Sequence, residues 1–341
     1  MWKFEDTHMA MIEVKSVKKH FKKPVRKPGI IGMFKTLFSF KYTITEAVKG
    51  ISFSLEPGEI VGYIGANGAG KSTTIKMMCG ILTPTDGEIY VDGYLPYDPK
   101  QRKHVLNKIG VVFGQRTQLW WDLPLIESLN ILKEIYDIEK DAYQERFEFL
   151  KQVLELDPFL NQPVRTLSLG QRMRADLAAS LIHNPRILFL DEPTIGLDVL
   201  VKDRMIKAIK EIHKRYNTTI VLTTHNMDDI TDLCKRVIIL DEGQILYDGQ
   251  IQAIKTKFGD FRHVSFQGSN GKDLSELATQ LGASCEVSKQ DGYINISFDI
   301  KHKSVNDVLK TILDNYKVED IKIHENTLES IVKKIYETKQ V

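Results

Sequence analysis

The chain has 341 residues, 42% of them hydrophobic and 27% charged, a size and mix that suit one large globular domain or two ordinary ones. Basic and acidic residues nearly balance, leaving a formal net charge of +2, so there is no global pull toward nucleic acid and no nucleic-acid partner is expected. Cys79, Cys234 and Cys285 form no CxxC pair, which speaks against a disulfide framework or a zinc site and for a reducing compartment. The opening MWKFEDTHMA carries acids and lacks an apolar core, unlike a signal peptide.

In chain order, Ile12 to Val17 and Ala47 to Leu55 alternate like strands, with a turn at Glu56-Pro57-Gly58. Ile60 to Ile64 is a buried strand that runs straight into glycines. Leu125 to about Leu156 turns helical, its apolar residues three and four apart. Short apolar strands follow at Ile187 to Leu190, Thr219 to Leu222 and Val237 to Leu240, separated by helical segments. This alternation predicts an α/β fold with a mostly parallel sheet covered on both faces. None of these runs approaches the ~20 residues of a membrane-spanning helix, so work at a bilayer requires another chain to cross it. Past Gln250 a lysine-rich helix reaches Phe258. Strands at His263 to Phe266, Cys285 to Val287, Tyr293 to Phe298 and Val318 to Ile323 then interleave with helices at Leu274 to Leu281 and Val305 to Leu313, before a helix from Leu328 to Tyr336. Residues 251–341 thus read as a second, α+β domain with a βαββαβ, ferredoxin-like order, either regulatory, dimerising or a plain packing extension.

Gly65-Ala66-Asn67-Gly68-Ala69-Gly70-Lys71-Ser72 matches the phosphate-loop pattern GxxxxGK[ST], after a strand and before an apolar helix. Its glycines let backbone N–H groups turn around phosphate oxygens at a helix N-terminus. Lys71 is expected on the β- and γ-phosphates and the Ser72 hydroxyl on Mg²⁺. A second element is Asp191-Glu192, at the end of the strand Ile187 to Leu190, where ligands of open α/β sheets bind. Asp191 can hold the metal through water, and Glu192 can act as the general base on the attacking water.

A third element is Leu167-Ser168-Leu169-Gly170-Gln171, opening a helix rich in arginine and alanine. With it the chain resembles the nucleotide-binding subunit of an ABC transporter, over about residues 11 to 245. The resemblance implies a P-loop NTPase over 11–250, with a RecA-like core, an antiparallel β-subdomain, a helical subdomain at about 116–183 and an insertion at about 24–43. ATP and Mg²⁺ are the implied cofactors. Gly65, Asn67, Gly68, Ala69, Gly70, Lys71, Ser72 and Thr73 would hold the nucleotide of one subunit, and Ser168, Gly170 and Gln171 would present the signature to the ATP of a second copy. Leu169 departs from the family's first signature glycine. Gln115 falls at the Q-loop position, touching Mg²⁺ or water, Asp198 in the D-loop that crosses the dimer interface, and His225 at the switch histidine.

The same resemblance implies transmembrane permease partners, a second copy of the chain, and a place at the cytoplasmic face of the membrane. Trp120 and Trp121, just past the Q-loop, sit where the family docks its membrane partner, although such pairs are often core. The run PVRTLSLGQRMRADLAASLIHNPRILFLDEPTIGLD looks most like the drug- and polysaccharide-export branch. A soluble assembly ATPase, as in iron–sulfur assembly, is the alternative. Phe21 and Tyr42 compete as the aromatic that stacks on adenine, with Tyr42 favoured for its distance from Ala47-Val48. Between them, Ile30, Met33, Phe34, Leu37 and Phe38 can share a helical face. That face could dock on the permease, pack on the chain's own β-subdomain, or contact lipid beside the basic run Lys15 to Lys27.

Overall fold

The computed structural model describes residues 10–24, 42–114, 117–258, 261–269, 273–282, 285–290, 292–325 and 327–338. The insertion's proposed helical face and Gln115 lie outside the described residues. Contacts divide the chain between Asp248 and Gly249 into two compact units.

The first unit begins with β1 (Ile12–Pro24) and β2 (Tyr42–Leu55), an antiparallel pair whose register runs from Ile12 opposite Leu55 out to Pro24 opposite Tyr42, with bulges on the way. β3 (Ile60–Gly65) follows, then α1 (Lys71–Met78) and β4 (Asp86–Val91), which pairs with the other edge of β1. The resulting three-stranded sheet, in the order β2-β1-β4, is the antiparallel subdomain. A short helix α2 (Arg102–Leu106) leads to β5 (Ile109–Phe113). The helical part contains α3 (Leu125–Ile135), α4 (Lys140–Val153) and α5 (Leu169–Leu181). Then come β6 (Ile187–Asp191), α6 (Val199–Tyr216), β7 (Thr219–Thr223), α7 (Met227–Leu233), β8 (Arg236–Asp241) and β9 (Gln244–Gln250).

The second sheet has the order β5-β6-β7-β3-β8-β9, and every pair from β5 to β8 is parallel. Its central strands are buried on both faces: Ile187 to Leu190 and Ile220 to Leu222 are at most 1% exposed. This explains their unbroken apolar runs, since helices cover both sides. One core joins the two sheets, with Ile12, Val14 and Leu55 of the antiparallel sheet packed with Val61, Tyr63, Ile75, Met78 and Phe189. At roughly 1.5 to 3 kcal/mol per fully buried large side chain, this shared core holds the antiparallel sheet against the parallel one. Helix α6 shows how sequence sets an element. Asp198 caps its N-terminus, Met205, Ile206, Ile209 and Ile212 form the buried stripe, and Asn217 in the left-handed conformation (φ 50°) ends it.

The second unit contains α8 (Ile251–Phe258), β10 (Phe261–Ser269), α9 (Leu274–Leu281), β11 (Cys285–Gln290), β12 (Tyr293–Asp299), α10 (Val305–Asn315), β13 (Lys317–Glu325) and α11 (Leu328–Thr338). Its sheet order is β11-β12-β10-β13 with all neighbours antiparallel, the ferredoxin-like βαββαβ arrangement. Leu277 and Leu281 of α9 and Val308 and Ile312 of α10 bury against Val264, Phe266, Ile296 and Phe298 of the sheet. Helix α11 packs on α8; Ile254 and Ile335 are fully buried.

Candidate active site

Strands β5, β6, β7 and β3 run parallel, so their carboxyl ends open on one edge of the sheet. The loops that leave this edge carry Gly114, Asp191-Glu192, His225 and the phosphate loop. Neighbouring strands lie about 4.8 Å apart, so loops distant in sequence become neighbours in space.

Gly65 ends β3, and a Cβ there would stand 2.7 Å from the Leu240 carbonyl oxygen. Ala66, Asn67 and Gly68 are exposed while Ala69 and Gly70 are buried. Gly70 caps α1 at φ 103°, a conformation that favours glycine, and a Cβ would strike the Ala47 carbonyl oxygen at 2.6 Å. The backbone at Gly68 is open, with nothing within 4 Å of where a Cβ would be, leaving room for a phosphate against the N–H groups. Lys71 donates to the carbonyl oxygens of Gly65 (2.5 Å) and Ala66 (3.2 Å) and is 7% exposed. Burial pulls its pKa below the ordinary value, while Glu192 and Asp191 oppose the shift. Ser72 is exposed and Thr73 partly so.

Asp191 Oδ1 accepts from the Thr223 hydroxyl at 2.5 Å, a strand-to-strand bond. Glu192 sits at φ 56°, an unusual conformation for a non-glycine residue. Its N–H donates to the Thr223 carbonyl at 3.0 Å, and its Oε1 lies 2.9 Å from His225 Nε2. Glu192 is partly buried and His225 about half exposed, so the pair faces an open recess of about 230 Å³ lined also by Thr194, Leu197 and Asn226. A carboxylate and an imidazole in contact, with a buried ammonium nearby, can polarise water beside a phosphate. Among the described residues no three His, Cys, Asp or Glu side chains are grouped to hold a metal alone. The Ser72 hydroxyl and the Asp191 carboxylate fit a Mg²⁺ that takes its other oxygens from phosphate and water.

Ser168 caps α5 in a capping box: Gln171 N donates to its hydroxyl at 3.3 Å, and Ser168 N donates to Gln171 Oε1 at 2.9 Å. The hydroxyl is exposed, and a Cβ on Gly170 would meet Val201 Cγ1 of α6 at 2.7 Å. Leu169 fills the space over Gly196, whose Cβ would lie 3.1 Å from its Cδ2. The signature therefore packs on the D-loop of its own chain. Asp198 accepts from Leu200 N and Val201 N, and the surface around it is apolar, with Ile195, Val199 and Leu200 42%, 81% and 71% exposed.

Gly114 N donates to the Asp191 carbonyl at 2.9 Å, which ties the start of the Q-loop to β6. On its far side Trp120 and Trp121 are substantially exposed, and Arg172 lies over the Trp121 ring. Phe21 is partly buried opposite Thr45, with the Lys19 ammonium over its ring, whereas Tyr42 is 52% exposed opposite Pro24.

Sequence reasoning missed two buried acids. Asp176 on α5 accepts from the Thr117 hydroxyl (2.8 Å) and Gln118 N (3.1 Å), clamping the exit of the Q-loop to the signature helix. Asp229 on α7 accepts from Thr194 and approaches Lys202. The only signal for either was an acid at a helix position that the apolar pattern assigns to the core. His183 is structural: it stacks on Tyr136, its Nε2 lies 3.0 Å from the Ile109 carbonyl, and burial drives its pKa down to about 4.

The sequence profile of the ABC transporter family matches residues 48–195. ABC transporter ATP-binding protein NatA of Bacillus subtilis (strain 168) is 34% identical over 217 residues, 64% of this chain and 87% of NatA. The linearmycin resistance ATP-binding protein LnrL of the same organism is 32% identical over 212 residues, 62% of this chain and 67% of LnrL. Among solved structures, the dimeric post-hydrolysis state of the ATP-binding cassette MJ0796 bound to ADP and Pi is similar, with a TM-score of 0.58 at 27% identity over 71% of this chain and 99% of that one. The phosphate loop, the strand-end acids and relatives of this coverage place the chain in the ABC transporter family, as an ATP-hydrolysing nucleotide-binding subunit.

Proposed function

We propose that this subunit drives export through separate transmembrane permease subunits at the cytoplasmic face of a membrane. Two copies would enclose two ATP molecules, each between the phosphate loop of one copy and the signature of the other. The observation that carries the reading is the Glu192–His225 contact on strand ends beside the Lys71 loop. In this reading Gly65 to Thr73 wrap the phosphates and Lys71 exchanges its carbonyl partners for phosphate oxygens. Glu192 takes the proton of the attacking water while His225 holds the carboxylate and faces the γ-phosphate. Bound Mg²⁺ would supply charge neutralisation on the phosphate oxygens, held by Ser72 and Asp191, with Gln115 as a further ligand or water contact.

Dimerisation is supported by the apolar surface at Ile195, Val199 and Leu200 around Asp198, by the exposed Ser168, and by the dimeric state of the MJ0796 cassette. Ser168, Gly170 and Gln171 would then meet the partner's nucleotide. The permease reading rests on the exposed Trp120 and Trp121 and on the absence, among the described residues, of any helix long and apolar enough to cross a membrane. Export rests on the likeness to LnrL, a resistance protein. Importers share the same ATPase core, so transport in inside-out vesicles decides direction. We assign adenine stacking to Phe21 rather than Tyr42. The Ala47 carbonyl abuts Gly70, and along β2 Thr45, opposite Phe21, is two residues from Ala47 while Tyr42 is five. At about 3.3 Å per residue those steps are roughly 7 and 17 Å. The decisive experiment is Glu192→Gln: nucleotide should still bind and turnover should fall by roughly 10²- to 10⁴-fold. Undiminished ATPase activity would sink the mechanism.

A further inference from the structure

Asp229 touches none of the groups assigned to nucleotide, yet three loops of the site meet on its side chain. It is 1% exposed. Its Oδ2 accepts from the Thr194 hydroxyl at 2.7 Å and from the Thr224 hydroxyl at 3.4 Å, and the Lys202 ammonium stands 2.8 Å from its Oδ1. Thr194 is two residues beyond Glu192, Thr224 is the residue before His225, and Lys202 lies in the first turn of α6, where its N–H donates to the carbonyl of the capping Asp198. Asn226 holds the node from below, accepting from Asp229 N and donating its own N–H to Thr224 Oγ1.

We propose that Asp229 is a positioning residue that couples the D-loop to the catalytic pair, an inference that rests on the reading of Glu192 and His225 above. A carboxylate accepts only; here Oδ2 takes both hydroxyl hydrogen bonds, while Oδ1 has no hydrogen bond among the described residues and meets the Lys202 ammonium as a buried ion pair. Both hydroxyls are drawn to one oxygen, so the loop carrying Glu192 and the loop carrying His225 are held against the same atom. The other oxygen fixes Lys202, and through it the helix that Asp198 starts. A shift of the D-loop when a second copy arrives would move Lys202, then Asp229, then the alignment of Glu192 with His225. The phosphate loop is hydrogen-bonded to none of these side chains among the described residues, so the node governs turnover rather than ATP capture.

The test is steady-state ATP hydrolysis by the full chain carrying Asp229→Ala, Thr194→Val or Lys202→Met, with ATP affinity measured separately by a fluorescent nucleotide. Misplacement of a reacting group by about 1 Å costs up to roughly 100-fold in rate, so kcat should fall by about 10- to 100-fold in Asp229→Ala while KM and nucleotide affinity stay within about 3-fold. Thr194→Val and Lys202→Met, each losing one arm, should show the same split to a smaller degree. Combining either with Asp229→Ala should add little, because the arms act through one node. An unchanged kcat, a parallel rise in KM, or losses that multiply would overturn the proposal. If Asp229→Ala does not fold, the two single-arm variants and their combination decide by the same kcat-against-KM criterion. Turnover that survives Glu192→Gln would overturn the underlying reading and the inference with it. Wild-type turnover that depends on Glu192 but ignores the node overturns the inference alone.

Discussion

Asp176 offers a measurement in which burial of a charge is read directly as stability. Its side chain is 4% exposed, and burial raises its carboxyl pKa from the ordinary 3.8 to about 6, against the pull of the Thr117 and Gln118 hydrogen bonds and of Arg172. A carboxyl whose folded pKa is raised supports the fold fully while protonated, below about pH 4, and loses that support as pH rises through about 6. The interval corresponds to roughly 3 kcal/mol withdrawn from the folded state once the group is ionised. In Asp176→Asn the side chain cannot ionise, yet its Oδ1 can still accept from Thr117 Oγ1 and Gln118 N. The variant should therefore be more stable than wild type by roughly 1 to 3 kcal/mol at about pH 7.5, with the gap closing toward about pH 4.5. Urea unfolding followed by tryptophan fluorescence reports on this region, because Trp121 lies against Arg172 of the same helix. A gap that does not change with pH, or a variant less stable than wild type at neutral pH, would show that Asp176 is not a buried charge at a cost.

Glu192→Gln should hold ATP while losing turnover, checked by filter binding beside phosphate release. Phe21→Ala should weaken ATP affinity by roughly 5- to 10-fold, the worth of a lost aromatic stack of about 1 kcal/mol, while Tyr42→Ala changes it little; isothermal titration with a non-hydrolysable nucleotide separates them, and the reverse order would return adenine to Tyr42. Gly170→Ala places a Cβ 2.7 Å from Val201 Cγ1, and overpacking of this kind costs about 1 to 3 kcal/mol. A lowered Tm with a lowered ATPase rate is expected, and an unchanged Tm would mean that α6 yields freely to the signature.

The parts of the site written in contiguous stretches were legible because local geometry is enough to make them. The phosphate loop needs only a strand, glycines and a helix start, and Asp191-Glu192 needs only to end a parallel strand. The signature was legible as the start of a helix, where Ser168 and Gln171 form a capping box and Ser168 is exposed. What stayed hidden depends on convergence. Thr194 and Lys202 lie in one stretch and Thr224 and Asp229 in another further along the chain, and nothing in either neighbourhood announces that one carboxylate gathers all of them. The choice between Phe21 and Tyr42 turned on register. Separation in sequence from Ala47-Val48 favours Tyr42, whereas the bulged pairing with β1, which a sequence does not display, sets Phe21 opposite Thr45 and Tyr42 opposite Pro24, the basis of the proposed assignment to Phe21. The ferredoxin-like order of the second unit was legible because each strand and helix has its own period, while the packing of α8 on α11 joins the two ends of that unit and had no local mark.

The hairpin has a consequence for how this motor can diversify. Strands β1 and β2 stay paired until Pro24 faces Tyr42, so residues 25–41 leave and rejoin the fold about one strand spacing, roughly 5 Å, apart. Their closure is already set by the ladder beneath them, and doubling the length of such a segment would cost only about 0.6 kcal/mol. The segment is in effect a cartridge. A segment joined across so short a gap can change in sequence or length at little cost to the pairing below it, which keeps Phe21 opposite Thr45.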